Sequence, residues 1–397
     1  MTNEGRVGMD ELRRRACGLV PELRAAALET ERNRRVSEAA MDALRRAELF
    51  KLLQPAWFGG FEHGFADAIE IAAELGRGCA STAWCASLTI ATQWLLGCFP
   101  LAAQDDVWGA HPDHVAVTIF APTGQAERAD DGYRISGRWP FLSNIDNNDW
   151  SVLACLYTPD AADAPIPGFF LVPRADYGID DTWFTAGLAG TGSKTAVIET
   201  PAFVPHHRVV SFAAMASGDS PGARESSSAL YRVPFMAFLP MSLVAPALGV
   251  VEGAIDEFVA QTSVRRVHAG AERGSRMAEH AAVQSRLAEA AVAIDAARLL
   301  LERDARELDA VVRGGGPISL DLRIRNRRDQ GYATRLANQA ANLLFELGGA
   351  TGLALDNPVQ RAWRDVNAIA RHIGLNWDVV STMYGQHRFG VEPRGQY

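Results

Sequence analysis

The chain is poor in cysteine, with five among 397 residues, at positions 17, 79, 85, 98 and 155. An odd set without CxxC spacing argues against both a disulfide framework and a zinc site, so no metal is expected. Cys79 and Cys85 are six residues apart, off one helical face, so the thiols read as small buried hydrophobes. Basic blocks are missing as well. A formal charge of -8 without a matching basic block leaves no electrostatic footprint for nucleic acid or an anionic membrane surface. The start, MTNEGRVGMDELRRRACGLV, mixes both charge signs and lacks the apolar run of a signal peptide. No later segment reads as long and uncharged enough to cross a bilayer. These absences point to a cytoplasmic protein with no nucleic-acid or membrane partner. No GxGxxG follows a strand-like run, so no nicotinamide site is visible.

What is present is apolar residue in quantity. At 48% hydrophobic and 22% charged, the chain can bury a large core, and its length implies two or three domains. Three textures follow one another. Residues 1–112 carry Leu, Val and Ala at helical spacing, with Ser37 placed as an N-cap and GRG marking the break inside an apolar helix pair. Residues 113–212 hold short β-branched or alternating runs separated by Pro, Gly, Asp and Asn, the pattern of a sandwich or barrel. A Ser/Gly/Pro-rich stretch over 213–233 reads as a mobile connection or lid. From 234 to 397 four long amphipathic segments predict a four-helix bundle.

The order of these textures and the motifs FELGGATGLALDNPVQRAWRDVNAI, GRWPFLSNIDNNDW and GLAGTGSKTAVIETPAFVPHHR resemble the acyl-CoA dehydrogenase fold. This is an α+β architecture of N-terminal all-α domain, middle β-sandwich or barrel and C-terminal four-helix bundle. Within it, CASTAW, GRWPFLS, DTWFTAGLAGTGS and NPVQRAWRDVNAIARH look like the two-component flavin-dependent monooxygenases, which include phenol and steroid-ring hydroxylases, thiophene S-oxygenases and amino-sugar N-oxygenases. The resemblance spans nearly the whole chain. It implies reduced flavin, FMN or FAD, delivered by a separate NAD(P)H-flavin reductase. It also implies O2 as co-substrate, a C4a-hydroperoxyflavin that oxygenates a small aromatic or heteroatom-bearing molecule, and a homotetramer.

The same resemblance assigns residues. Ser143 takes the position that sets a hydroxyl at flavin N5, where a hydrogen-bond partner and a dry site slow the loss of peroxide. Trp139 and Phe141 are expected as apolar walls and Asn144 as part of the corner. Read bare, Ser143 and Asn144 are simply turn formers. His372 is expected on the helix that carries Asp365, pointing at the flavin C4a region, where a pKa near neutrality would permit either protonation state. Gly348, Gly349 and Gly352 of LGGATG are expected to approach the flavin of a neighbouring subunit. Thr191 and Ser193 of GTGS, a run without the Lys-Ser/Thr ending of a phosphate loop, are expected in the cofactor groove, as is FAPTG at 120–124. Arg364 and Asp365 read as an ion pair holding the last hairpin.

A dehydrogenase would need a carboxylate to take the α-proton. The two places where relatives carry it read MYGQHRFG and AFLPMSLVAP, without an acid. Phenol hydroxylases often place a histidine where this chain has Thr92, which cannot act as a base; His111, His114 or a different substrate nucleophile could compensate. Trp84, Thr92 and Trp94 are expected to line the substrate pocket or to pack in the helix pair. Two alternatives stay open: an acyl-CoA dehydrogenase-like oxidoreductase, and a catalytically silent flavin-fold binding protein.

Overall fold

A computed structural model describes residues 6–159, 164–267 and 273–397; the first five residues of the charged start fall outside them. Five helices come first: α1 (Met9–Asn33), α2 (Glu38–Arg46), α3 (Phe65–Gly76), α4 (Ala80–Gly97) and α5 (Leu101–Trp108). The Ser37 hydroxyl accepts from Ala40 N–H and caps α2 as expected. Seven strands follow: β1 (Ala116–Ala129), β2 (Gly132–Leu142), β3 (Trp150–Tyr157), β4 (Ile166–Pro173), β5 (Gly178–Asp180), β6 (Lys194–Pro205) and β7 (Val209–Ser211). They form one sheet in the order β5-β6-β2-β1-β3-β4-β7, with β1 and β3 parallel and every other pair antiparallel. Bulges in β1 and β2 let this sheet curl, so that Tyr133 of β2 packs edge-on against Phe170 of β4, ring centroids 5.7 Å apart.

The sheet has two buried faces in its middle. Leu153, Cys155, Phe170 and Val172 face a small core inside the curl. Val152, Ala154, Phe169 and Leu171, the alternate positions, face a much larger core shared with the helices. This is why β3 and β4 read as continuous apolar runs.

The 213–233 segment folds into α6 (Phe212–Ser217), α7 (Pro221–Glu225) and a 3-10 turn at Ala229–Arg232. Serines cap these short elements: Ser211 at the end of β7, and Ser220 and Ser228 within the segment, accept from Ala214, Ala223 and Leu230 N–H. The bundle then runs through α8 (Phe235–Val264), α9 (Ala281–Arg313), α10 (Leu320–Leu347), α11 (Pro358–Ile369) and α12 (Trp377–Arg388). Two expectations fail here. The last amphipathic segment is two helices, because Asn376 caps α12 through Asp378 and Val379 N–H and the chain turns at 373–375. And α8 is long and apolar enough to cross a membrane, with a window of mean hydropathy 1.7; that window is 89% buried inside the protein. It is apolar all round because α3, α4, α9, α10 and α11 surround it.

α1, α3 and α4 share a single core with α8 to α11, so the first and last helical regions form one packed body.

Candidate active site

The site begins at the end of β2. Pro140 cannot donate to the ladder, and the pairing with β6 slips between Trp139 and Leu142, which leaves a bulge. Phe141 takes φ +68° there and Asn144 φ +61°. Positive φ at a bulky residue such as Phe141 is strained, and such strain collects at functional corners. Phe141 is turned outward, 65% exposed, with its ring edge-on to Trp183. Two residues on, Ser143 is turned inward and buried.

The Ser143 hydroxyl is the hub of a hydrogen-bond chain. Trp84 Nε1–H of α4 donates to Ser143 Oγ at 3.0 Å. Ser143 Oγ lies 2.7 Å from Ser193 Oγ, which lies 2.6 Å from Thr191 Oγ1. Thr191 Oγ1 donates to the Leu188 carbonyl at 2.8 Å. The Leu188 N–H in turn donates to Asp365 Oδ1 of α11 at 2.6 Å. Burial raises the Asp365 carboxyl to about 6, opposed mainly by that N–H.

His372 joins the same neighbourhood through Trp84, with ring centroids 5.9 Å apart. It is not on a helix as expected. α11 ends at Ile369, and His372 caps the following 3-10 turn, its Nδ1 accepting from Gly374 N–H at 3.1 Å. That bond leaves the proton on Nε2. Burial, aided by the Arg327 charge, lowers the His372 pKa to about 4. The imidazole is therefore neutral at pH 7 and does not alternate between states as expected. It borders a groove of about 730 Å³ with Asn338, Asn342, Arg371 and Trp377.

Arg327 is the residue that sequence reasoning missed. Buried on α10 and pushed down to about 10 by burial, it donates to the Gly374 carbonyl at 2.7 Å and the Gln396 carbonyl at 3.2 Å. It thus pins the His372 turn to α10 and the tail. An apolar-periodicity search passes over such a residue; its signal was an arginine on the inward face of a helix.

Several expected site residues belong elsewhere. Trp139 is wholly buried in the small core of the sheet, its indole donating to the Ala154 carbonyl at 2.7 Å. It lies over Gly124, where a Cβ would come within 2.2 Å of the ring, which explains the glycine of FAPTG. Phe120 stacks on Phe235 in the large core and Thr123 donates to the Arg138 carbonyl at 2.7 Å. Asn144 is a buried brace: its Oδ1 accepts from Asn147 and its amide reaches Thr89 Oγ1. Trp94 is core, between Phe65 and Phe238, and donates to the Leu230 carbonyl at 2.9 Å. Trp84 faces Ser143 and His372. Thr92 donates to the Leu88 carbonyl and accepts from Thr118 Oγ1 on β1. His111 and His114 stack on each other, and His114 lines a separate small pocket with Arg45 and Lys51. They do not compensate for Thr92.

Gly348, Gly349 and Gly352 form the turn after α10, and Gly348 and Gly352 border a pocket of about 130 Å³ with Arg265 and Gln360. Gly349 has φ +57° and ψ -156°, a conformation only glycine adopts readily. Arg364 and Asp365 do not pair with each other. Arg364 bonds Glu31 of α1 and the Ala186 carbonyl, while Asp365 holds Leu188.

A reduced flavin fits these residues. With Trp84 and Ser193 as partners, the Ser143 hydroxyl keeps one of its three hydrogen-bonding positions open at a corner flanked by an outward-facing aromatic ring, and His372 offers an Nε2–H nearby through Trp84. Curled sheet, shared helical core and this corner define an acyl-CoA dehydrogenase-fold flavoprotein.

The comparisons with known proteins agree. Residues 241–377 match the family model described as acyl-CoA dehydrogenase, C-terminal domain. The FADH2-dependent resorcinol hydroxylase oxygenase component of Rhizobium sp. is 43% identical over 96% of this chain and 95% of its own. The oxygenase subunit HsaA of a flavin-dependent monooxygenase from Rhodococcus jostii is 37% identical over 94% of this chain and 97% of its own. Among solved structures, the 3-HSA hydroxylase from Rhodococcus sp. superposes with TM-score 0.92 at 35% identity, covering 98% of this chain and 100% of that one. XiaF from Streptomyces sp., in complex with FADH2 and glycerol, gives 0.88 at 31%, covering 98% and 97%. The chain belongs to the oxygenase components of the two-component flavin-dependent monooxygenases.

Proposed function

We propose that this oxygenase component hydroxylates an electron-rich aromatic ring, a phenol or resorcinol-like compound, with FADH2 as the preferred reduced flavin. The substrate class is supported by the name of the Rhizobium relative, which is 43% identical and FADH2-dependent. Reduced flavin, when bound, supplies two electrons, so that one atom of O2 enters the substrate and the other leaves as water. The chain's own groups hold and shield. Ser143 accepts a hydrogen bond from flavin N5, Phe141 covers ring surface, and neutral His372 donates from Nε2 toward the reacting oxygen. Thr118 and Thr92, hydrogen-bonded to each other where α4 meets β1, are the hydroxyls this reading assigns to the substrate. The hydroxyl pair holds a substrate hydroxyl and does not deprotonate it.

The observation that carries this reading is the Ser143–Trp84–His372 contact set, which joins sheet, N-terminal helices and bundle at one point. The test supplies photoreduced FAD or FMN and O2 with a panel of phenols, and measures hydroxylated product against peroxide released. Ser143→Ala is expected to raise the peroxide share severalfold. Equal product and peroxide in wild type and variant would remove Ser143 from this role. A cytoplasmic homotetramer in which the Gly348–Gly352 turn meets a neighbour's flavin completes the proposal.

A further inference from the structure

Three hydroxyls, Ser143, Ser193 and Thr191, stand in a row between a group that can only donate and a group that can only accept. Trp84 Nε1–H is the donor at one end and the Leu188 carbonyl the acceptor at the other. Such a row has one fully bonded orientation. Thr191 gives its proton to Leu188, so Ser193 must give its proton to Thr191, and Ser143 must give its proton to Ser193. A serine hydroxyl has one proton and two lone pairs. Ser143 has then spent its proton on Ser193 and one lone pair on Trp84, and a single lone pair is left.

We infer that Ser193 and Thr191 fix the direction of the Ser143 hydroxyl, so that the site offers flavin N5 an acceptor and selects the reduced, N5-protonated ring over the oxidised one. This rests on Ser143 meeting N5. Reduced flavin carries N5–H, a donor that the remaining lone pair accepts. Oxidised flavin carries a bare N5 acceptor, which would face a lone pair. Serving it would require Ser143 to withdraw its proton from Ser193, which either breaks that link or reverses the whole row and takes Thr191 off Leu188. The Leu188 carbonyl would keep its bonds from Trp183 Nε1–H and Thr191 N–H, so reversal costs one hydrogen bond without orphaning a buried carbonyl. The expected discrimination is accordingly modest, about fivefold to tenfold, the net worth of one hydrogen bond. The row is buried throughout, so bulk water does not supply the alternative partners that would erase it. Ser193 and Thr191 are thus positioning residues that act through Ser143.

The test is anaerobic equilibrium binding of reduced and of oxidised FAD to the full chain, together with the midpoint potential of the bound flavin. In Ser193→Ala the Ser143 proton is freed, so oxidised flavin should bind about fivefold to tenfold more tightly while the reduced-flavin Kd stays nearly unchanged. The midpoint potential should move toward that of free flavin. Ser193→Thr, which keeps the hydroxyl, should restore the wild-type ratio. Should Ser193→Ala fail to fold, Thr191→Val removes the terminal donor and should lower the ratio in the same way. An unchanged ratio in Ser193→Ala alongside a lowered one in Ser143→Ala overturns the relay and keeps Ser143 at N5. An unchanged ratio in both variants removes Ser143 from N5 as well.

Discussion

His372 is held neutral by burial and by Arg327, with its proton on Nε2. Its folded pKa of about 4 lies below the ordinary value of 6.5. As pH falls from 6.5 toward 4, the unfolded chain takes up a proton that the folded one refuses, and stability drops across that window. His372→Gln should flatten this part of a urea-unfolding profile measured from pH 7 to 4.5. The coupling of product to flavin consumption should fall in the same variant, without a new inflection between pH 6 and 8. Trp94→Phe makes a contrasting case. It deletes the bond to the Leu230 carbonyl and leaves a small void, so it should cost about 1–3 kcal/mol in denaturant unfolding while substrate KM stays put. That Ser143 and His372 would meet in one neighbourhood, around Trp84, was legible because their motifs carry them; their roles at the flavin belong to the proposal. Trp139 and Phe141 were not told apart, since the Pro140 bulge decides which of them faces out and strand alternation alone does not reveal it. The Trp94 role was open for a related reason: α4 is apolar on every face, so periodicity does not say which side meets a ligand.

At the scale of elements, the loop from Gly187 to Ser193 is clamped from the bundle by Asp365 and from α1 through Arg364 and Glu31. The Asp365 carboxyl is raised to about 6 from an ordinary 3.8 by burial. A raised pKa means that stability present in acid is lost as pH climbs from about 4 through 6, because the unfolded chain releases its proton first. Asp365→Asn keeps an acceptor for Leu188 N–H without the buried charge. Its stability relative to wild type should therefore improve between pH 4.5 and 7, as read by urea midpoints at both pH values. Element type was largely legible: the α, β, α order and the Ser37 cap follow from spacing. The break at His372 was missed although Gly374 and the Asn376 cap announce it, because the apolar period continues in phase across the turn. The serine-rich stretch suggested a tether, whereas two of its serines, Ser220 and Ser228, are caps.

For the whole molecule, the exposed apolar residues include Val292 and Leu299 on α9, seven apart and so on one face, with Leu353 and Leu355 beyond the glycine turn. A second copy packed there would dry them, as the proposed tetramer requires. Leu299→Glu should shift the sedimenting species from four chains to fewer, with helical circular dichroism unchanged; a tetramer that persists would place the contact elsewhere. The shared core has a further consequence during synthesis. α4 is buried almost end to end, and α8, which covers much of it, leaves the ribosome some 140 residues later. In that interval an emerging chain carries a sticky hydrophobic rod that α3 and β1 cover only in part. Fragments cut after the sheet should clump instead of forming a module, and high yield from a heterologous host should depend on holdase chaperones more than on codon choice.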